Sequence, residues 1–476
     1  MSAYTTNASL GAFKRLSFFN VNNIPFLTHI KGGTGLKRYD IIIAGAGLSG
    51  LSLAWHLVRE NYKGQILLID NSFAPNNHKT WCFWGKKDHP FADIAHRIWK
   101  KSHFSALDFN SELSLKEHLY FCVKESDYKE TILRTLQKAP NVDLLEESIL
   151  DFSSNSSKAA LITKDSNTYL ADFIFQSIFM PSHYDPNARK YPLIQHFLGI
   201  EIKTDEKVFD KKTFTLMDVD SDFNDGFAFM YVLPFKKNRA LVEYTIFSAN
   251  PLKKKQYNKK IRNYLEEKYG LTKENYSIKR KEYGEIPMDD RPHTPLYSSR
   301  IMNLGTVGGF TKPSTGYTFS RVHKYSKKCA QALVKGVIPP IPTASSYRFR
   351  YYDLLLLRVL ATNVPDSRKI FRSLFKNSPV DRIFKFLSEE TNFLEDLMVL
   401  ASCYYPPFLR ALTVHPPLIT QFDKDHLAPS KHKEPKEDYF EDFEQIPNSS
   451  DGDSSQDAEK GSDEIVQEDR LNETVS

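Results

Sequence analysis

The first patterned segment of the chain is Arg38–Ala44, RYDIIIA, whose apolar run suits a strand buried on both faces of a parallel sheet. GAGLSG follows at once, then a helical stretch from Leu51 to Asn61, then a second apolar strand, Ile66–Ile69, closed by Asp70. Strand, turn, helix and strand in that order predict a βαβ unit. Beyond it the pattern is mixed. Ala159–Thr163, Phe227–Phe235 and Arg239–Phe247 predict strands, the last two joined by a hairpin turn at Lys236–Asn238. Ser126–Gln137, Tyr257–Lys268 and Ser320–Lys335 predict helices. From Tyr351 to Phe422 the pattern is mostly helical, with breaks near Pro365, Pro379 and Pro406. No internal repeat is visible. The longest candidate for a spanning helix, Tyr352–Val359, is short and holds Asp353 and Arg358, so any membrane contact is expected to be peripheral.

These patterns predict an α/β protein with a dinucleotide-binding domain, an inserted mixed-sheet substrate domain and a helical end region. Charge adds a further division. The whole chain carries +6, but Lys433–Ser476 holds 15 acids and 4 basic residues, a net of −11 that leaves +17 on the rest. This tail, within 426–476, is rich in Ser, Asp, Glu and Gln and is expected to be disordered. The first 37 residues contain no acid, a composition open to a transit peptide, an ordinary disordered extension or a start codon placed too early. A basic body could face nucleic acid or anionic lipid headgroups. No nucleic-acid motif is present, and none is expected as a partner. Cys82, Cys122, Cys329 and Cys403 are far apart in sequence, with no CxxC and no histidine pairing, so reduced thiols and no metal site are expected.

Gly45, Gly47 and Gly50 form GxGxxG between an apolar strand and a helix, with Asp70 closing the next strand. Gly45 permits a tight turn, Gly47 lets the backbone approach a pyrophosphate, and Gly50 lets helix and strand pack closely. The amides of the helix start, with Ala46, Leu48 and Ser49 in the same loop, can then receive phosphate oxygens. Asp70 can accept from ribose hydroxyls. The motif's place at the N-terminal end of a long chain favours FAD over NAD. So does a second glycine-rich segment, GTVGGFTKPSTGYTF at Gly305–Phe319, between the apolar run Ile301–Leu304 and a helix. Its candidate cofactor residues are Gly305, Gly308, Gly309, Pro313, Thr315 and Gly316.

Several segments together resemble the lycopene β-cyclase family in its bacterial form. They are YDIIIAGAGLSGLSLAWHL (Tyr39–Leu57), LLIDN (Leu67–Asn71), KTWCFW (Lys79–Trp84), QHFLGIEI (Gln195–Ile202) and MDVD (Met217–Asp220), followed by FMYVLPF (Phe229–Phe235), ALVEYTIFS (Ala240–Ser248), EYGEIPM (Glu282–Met288) and GGFTKPSTGYTF (Gly308–Phe319). The resemblance covers roughly Tyr39 to Phe408 and is carried most specifically by KTWCFW, LVEYT and KPSTGYTF. It implies a fold like the flavin hydroxylases, with the FAD-binding domain (38–160 and 296–345) interleaved with the substrate domain (161–295), before a helical region at 346–425. It implies conversion of the linear ψ-ends of lycopene to β-rings, β-carotene by way of γ-carotene, with no net redox change. Reduced FAD is the implied cofactor, with NAD(P)H as its reductant. Many related flavoproteins begin the second glycine segment with Gly-Asp. Here the pair is Gly305-Thr306, and lycopene cyclases also tend to lack that Asp.

Ring closure needs an acid able to protonate an alkene, a dry site and electron-rich groups facing a carbocation. Glu243, in LVEYT, matches the family's catalytic glutamate. Strand alternation puts it on the face opposite Val242, and an apolar setting would keep its carboxyl protonated. Its role is general acid or, once ionised, stabiliser of the cation. Trp81, Trp84, Tyr231, Tyr244 and Tyr317 are candidate aromatic faces, and Asp218 is a further carboxylate candidate. Because lycopene dissolves in bilayers, the protein is expected in the cytoplasm, docked on the inner face of the membrane. Alternatives are a flavin-dependent monooxygenase or halogenase of the same fold, a carotenoid cyclase with another ring product, and a non-enzymatic FAD- or carotenoid-binding protein. The sequence does not state an oligomeric state.

Overall fold

The computed structural model describes residues 37–75, 79–178, 191–288, 290–291, 293–342 and 345–412. The expectations for residues 1–36, for the acidic tail and for the helical region beyond residue 412 lie outside these residues. The chain opens with β1 (Lys37–Ala44), α1 (Leu48–Arg59) and β2 (Ile66–Asp70), the predicted βαβ unit. The helix begins three residues earlier than its apolar pattern predicts, because the glycine turn runs directly into it. There follow β3 (Thr80–Gly85), β4 (Arg97–Trp99), β5 (Lys101–Ala106), β6 (Phe109–Ser114), β7 (Leu119–Lys124) and α2 (Glu125–Gln137). Next come β8 (Val142–Glu146), β9 (Ile149–Ser154), β10 (Ala159–Thr163), β11 (Thr168–Gln176), β12 (Leu193–Thr204), β13 (Thr213–Val219), β14 (Phe227–Lys236) and β15 (Arg239–Ser248). The chain continues through α3 (Lys254–Tyr269), β16 (Tyr276–Met288), β17 (Leu296–Ser298), β18 (Ile301–Asn303) and α4 (Phe319–Val334). It ends in α5 (Tyr347–Thr362), α6 (Val364–Asn377), α7 (Val380–Leu387), α8 (Phe393–Ser402) and α9 (Pro406–Ala411).

The first sheet has the order β17-β18-β11-β1-β2-β8, with β10 and β9 joined through β11. The run β18, β11, β1, β2, β8 is parallel. Its strands are apolar on both faces for a packing reason. In β1, Ile41 and Ile43 face α1 and α4, while Ile42 and Ala44 face Phe152 and Leu161 of the β9–β10 side. The second sheet has the order β16-β12-β15-β14-β13-β5-β6. A three-stranded antiparallel sheet, β3-β7-β4, is built from strands on either side of the β5–β6 hairpin.

The sequence division at residue 160 is displaced in both directions. β11, at 168–176, pairs in parallel with β1 and so belongs to the dinucleotide sheet. β5 and β6, at 101–114, pair with β13 and so extend the substrate sheet. An apolar run such as YLADFIF fits either sheet, and only the long-range parallel pairing decides between them. Residue 37, assigned to the extension, opens β1.

One face of the seven-stranded sheet is closed by α3, whose Tyr257, Ile261 and Leu265 recur at four-residue spacing and pack on Val242, Tyr244 and Ile246. Each such burial stabilises by about 1.5–3 kcal/mol. The other face meets Trp84, Trp99 and Tyr120 and the C-terminal helices through Leu354, Leu357, Phe371, Ile383 and Phe384. The prolines of that region start helices: Pro365 lies in the first turn of α6, Pro379 caps α7 and Pro406 opens α9.

Candidate active site

Two glycine turns stand side by side at the C-terminal edge of the parallel sheet. Gly45 has φ 101°, and its N–H donates to the Ile69 carbonyl at 2.8 Å. A Cβ at Gly50 would collide with the Gly45 carbonyl oxygen, so helix and turn could not close with any other residue there. Gly47 has nothing within 4 Å of where its Cβ would be, which leaves the mouth of the loop open above the first amides of α1. Asp70 holds the loop from the end of β2: Oδ2 accepts from the Ala46 N–H, and Oδ1 from the Ser72 N–H at 3.1 Å. Gly305 has φ 62°, and its Cβ would lie 2.7 Å from Ser49 Oγ, which places the second turn against Ser49 at the helix start. A Cβ at Gly308 would strike the Asn303 carbonyl, and Gly309 has φ 77°. Pro313 and Thr315 lie in a tight loop in which the Thr315 and Gly316 N–H groups donate to the Lys312 carbonyl at 3.2 and 2.8 Å.

The loop is anchored from behind. Lys312 is buried, with Nζ 2.9 Å from Asp353 Oδ1 and 3.1 Å from Glu389 Oε1, and Ser314 Oγ donates to Asp353 Oδ1 at 2.6 Å. On the loop's other side Gly316, φ 72°, abuts the Gln195 side chain. Gln195 Oε1 is buried and receives no hydrogen bond from the protein. An orphaned acceptor of this kind asks for a donor from a bound group. With the open Gly47 loop and the free helix amides, the donor set fits a dinucleotide whose far end carries a heteroaromatic N–H.

Glu243 lies on the inner face of β15, 7% exposed, as strand alternation predicts. Its register neighbours are Tyr231 on β14 and Gly199 on β12. Gly199 in turn is opposite Glu282 of β16. Burial and the neighbouring Glu282 carboxyl push the Glu243 carboxyl well above the ordinary carboxylate range. Glu243 Oε1 accepts from Thr245 Oγ1 at 2.5 Å. Glu282 is 4% exposed, and Oε2 accepts from Arg280 Nη1 at 2.6 Å and Thr80 Oγ1 at 2.9 Å. Burial raises its carboxyl too, against the pull of Arg280.

Beside the carboxyls three phenols meet. Tyr120 Oη lies 2.9 Å from Tyr231 Oη and 3.1 Å from Tyr317 Oη. Burial pushes all three phenols up, so they remain neutral. Trp84 packs edge-on to Tyr317 with centroids 4.4 Å apart, and stacks on Phe384 of α7. The structure therefore gathers Trp84, Tyr231 and Tyr317 of the aromatic candidates. It does not gather the others. Trp81 packs against Tyr128, and Tyr244 points to the α3 face, where its hydroxyl donates to Asp220 at 2.7 Å. Asp218 is on that outer side as well, paired with Tyr264 and Lys268. Sequence reasoning missed Glu282 and Tyr120. The EYGEIPM segment drew attention to the stretch containing Glu282 without singling it out, and Tyr120 lies in no motif. Cys82 and Cys122, distant in sequence, are directly opposed on β3 and β7, both as free thiols.

Residues 40–413 match the family described as lycopene cyclase protein. A lycopene beta-cyclase from Pantoea ananas is 21% identical over 389 residues, covering 79% of this chain and 97% of that protein. A chloroplastic neoxanthin synthase from Solanum tuberosum is 25% identical over 346 residues, covering 67% of this chain and 64% of the relative. A chromoplastic capsanthin/capsorubin synthase from Capsicum annuum is 25% identical over 334 residues, covering 64% and 62%. The chain thus spans less than two thirds of the length of these plant relatives. Among solved structures, a geranylgeranyl bacteriochlorophyll reductase-like protein from Thermoplasma acidophilum superposes with TM-score 0.53 at 15% identity, covering 80% of this chain and 100% of that one. A flavoprotein/dehydrogenase from Cytophaga hutchinsonii gives 0.52 at 11%, covering 77% and 100%, and a flavin-dependent brominase 0.50 at 12%, covering 79% and 98%. The fold is the α/β architecture of such flavoproteins, a Rossmann-type domain interleaved with a mixed-sheet domain and followed by helices.

Proposed function

The chain belongs to the lycopene cyclase protein family, and on that premise we propose that it closes β-rings at the linear ψ-ends of lycopene, with Glu243 as the acid. The observation that carries the reading is a carboxyl buried on an apolar face, raised toward its protonated form, beside Trp84 and three neutral phenols. Glu243 gives its proton to the terminal alkene, and a tertiary carbocation forms. The neighbouring double bond attacks it and closes the ring. The ring cation then loses a proton, so one proton enters, one leaves, and no electrons are exchanged. The ring faces of Trp84, Tyr231 and Tyr317 offer cation–π stabilisation along the way.

The residues that would hold FAD are the first amides of α1 with Gly45, Ala46, Gly47 and Asp70 at the pyrophosphate and ribose end. The segment Gly305–Gly316 and Gln195 would receive the ring end. Bound and reduced, with NAD(P)H as reductant, FAD would supply negative charge, which a low-dielectric interior would make effective against a carbocation.

Expression in a bacterial host that accumulates lycopene tests the reading, with the pigments separated by chromatography. β-Carotene is expected, and γ-carotene alone would limit the chain to one end. The names of the plant relatives favour a second reading, a cyclase that rearranges an oxygenated carotenoid end. Unchanged lycopene with FAD bound, and conversion of an epoxide-ended carotenoid, would establish that one instead.

The substrate is lipid-soluble, and the reading includes peripheral docking on the inner face of a membrane. Among the described residues no helix is long and apolar enough to cross one. α8 instead exposes Phe393, Leu394, Leu397 and Met398 along one face, Leu394 to 67%, and Tyr405 and Leu409 continue the apolar surface into α9. The +17 carried outside the tail suits anionic headgroups. Leu394→Glu combined with Leu397→Glu is expected to reduce sedimentation with anionic liposomes at least about tenfold, since each introduced charge resists burial in lipid by roughly 2 kcal/mol or more. Equal sedimentation of variant and parent would remove α8 from the docking surface.

A further inference from the structure

The inner face of the second sheet holds a row of four residues in register: Tyr231 on β14, Glu243 on β15, Gly199 on β12 and Glu282 on β16. Residues on two strands separated by a third are about 9–10 Å apart, and the middle residue's side chain normally fills the gap. At position 199 there is no side chain. A Cβ there would sit 3.1 Å from Glu282 Cγ and 3.4 Å from Glu243 Cβ, so both glutamates lean over the glycine. Their carboxyl groups come within hydrogen-bonding reach of each other. The two are unequally furnished. Glu282 accepts from Arg280 and Thr80, whereas Glu243 accepts from Thr245. Two carboxylates this close and this buried do not both ionise. The better-supported anion is Glu282, and the proton stays on Glu243.

We propose that Glu282 is the positioning residue of the acid: across the gap left by Gly199 it accepts a hydrogen bond from the protonated Glu243 carboxyl and keeps one proton on the pair. This rests on the reading of Glu243 as the acid. When that proton goes to the alkene, the Glu243 O–H bond breaks and a C–H bond forms. Both carboxylates are then ionised only while the carbocation, with Arg280, offsets the second negative charge. The proton lost from the ring cation restores the O–H bond, and the pair is ready for the second end of the substrate.

The surrounding charges leave the pair dominated by its own coupling. Arg280 divides its guanidinium between Glu282 and Glu201 of β12, whose Oε2 accepts from Arg280 Nε at 3.1 Å. Arg239 and Lys124 act on Glu201. His96, nearby, is pushed down to about 4 by burial and is neutral at pH 7. Tyr317 feels Glu243, and Cys122 feels Glu282; burial keeps both of them neutral.

Infrared titration of the purified full chain, read beside pigment formation against pH, tests the pair. A protonated-carboxyl band should persist at neutral pH and vanish in Glu243→Gln. In Glu282→Gln the neighbouring negative charge is gone and Arg280 loses one carboxylate partner. Gly199→Ala keeps both carboxyl groups and pries them apart. In both, the band and the alkaline limb of ring formation should move to lower pH, by about one unit or more for Glu282→Gln. If activity falls in these two variants while band and limb stay in place, Glu282 is merely structural and the proposal is overturned. A neutral-pH band that moves in this way in the two variants, in a chain that leaves lycopene uncyclised, would uphold the pair and overturn the cyclase reading, so the two failures are distinct.

Discussion

Glu243→Gln is expected to lower ring formation by about two to four powers of ten, the range that positioned acids contribute, while leaving the fold intact. Gln has nearly the shape of the protonated carboxyl. It can still accept from Thr245 Oγ1 and face Glu282, but it has no proton acidic enough for an alkene. Pigment yield per folded protein is the measurement, and retention within about threefold would end the assignment of Glu243 as the acid. Stability carries an independent signature. The folded carboxyl is raised by burial and by Glu282, so its contribution is fully present below the unfolded value of about 4.3 and is lost as pH rises through the folded one. Gln never ionises. Compared with the parent, the variant should therefore gain thermal stability as pH rises across that window. A melting difference independent of pH would show that Glu243 does not hold its proton in the folded state.

The parts of the molecule legible in the sequence are those whose information is continuous along the chain. Gly45, Gly47, Gly50 and Asp70 lie within one βαβ unit, so the turn and the closing acid follow from spacing. Glu243 sits in an apolar strand of period two, and its face follows from Leu241 and Val242 on either side of the alternation. The α3 stripe of Tyr257, Ile261 and Leu265 is equally local. What stayed hidden depends on register. That Glu282 meets Glu243 requires β12 to lie between β15 and β16, and requires its residue at that level to be Gly199. No pattern within any one of the three segments contains that information. Tyr120 joins Tyr231 and Tyr317 only because the three-stranded sheet brings β7 against the substrate sheet. The same cause places β11 beside β1 rather than among the substrate strands. Two of the aromatic candidates failed for the opposite reason. Tyr244 is next to Glu243 in sequence, and in a strand adjacency means the opposite face. Trp81 is similarly adjacent to residues that face the site, and it packs instead against Tyr128 and Phe319.

Lys312→Met is expected to cost about 3–5 kcal/mol of folding stability, because it removes one partner of a buried ion cluster and strands the others. Lys312 is 2% exposed and joins three separate stretches of chain: its own glycine-rich loop, Asp353 on α5, and Glu389 between α7 and α8. Glu389 keeps Arg321 and Ser345 as partners after the change, so most of the loss falls on Asp353, left with the Ser314 hydroxyl. Denaturant unfolding should show a lower midpoint. Replacing both members, Lys312→Met with Asp353→Leu, should recover much of the loss, since an apolar pair of similar volume avoids the stranded charge. The pH dependence has a definite sign. Against the cost of burial, Lys312 and Arg321 hold the Glu389 carboxyl below its ordinary value, so this stabilisation is present above the unfolded value and is lost as pH falls through the folded one. The gap between parent and variant should therefore be widest at neutral pH and should narrow in acid. The loop so loosened is the one carrying Gly309, Thr315 and Gly316, and bound FAD should dissociate faster from the variant, read as a rise in free-flavin fluorescence. A variant that unfolds within about 1 kcal/mol of the parent would mean that water or a neighbouring group takes the place of the ammonium, and that the helices do not anchor the loop through this lysine. Loss of stability with flavin release unchanged would confine Lys312 to holding the helices in place, and would leave the loop's hold on the cofactor to its backbone turns.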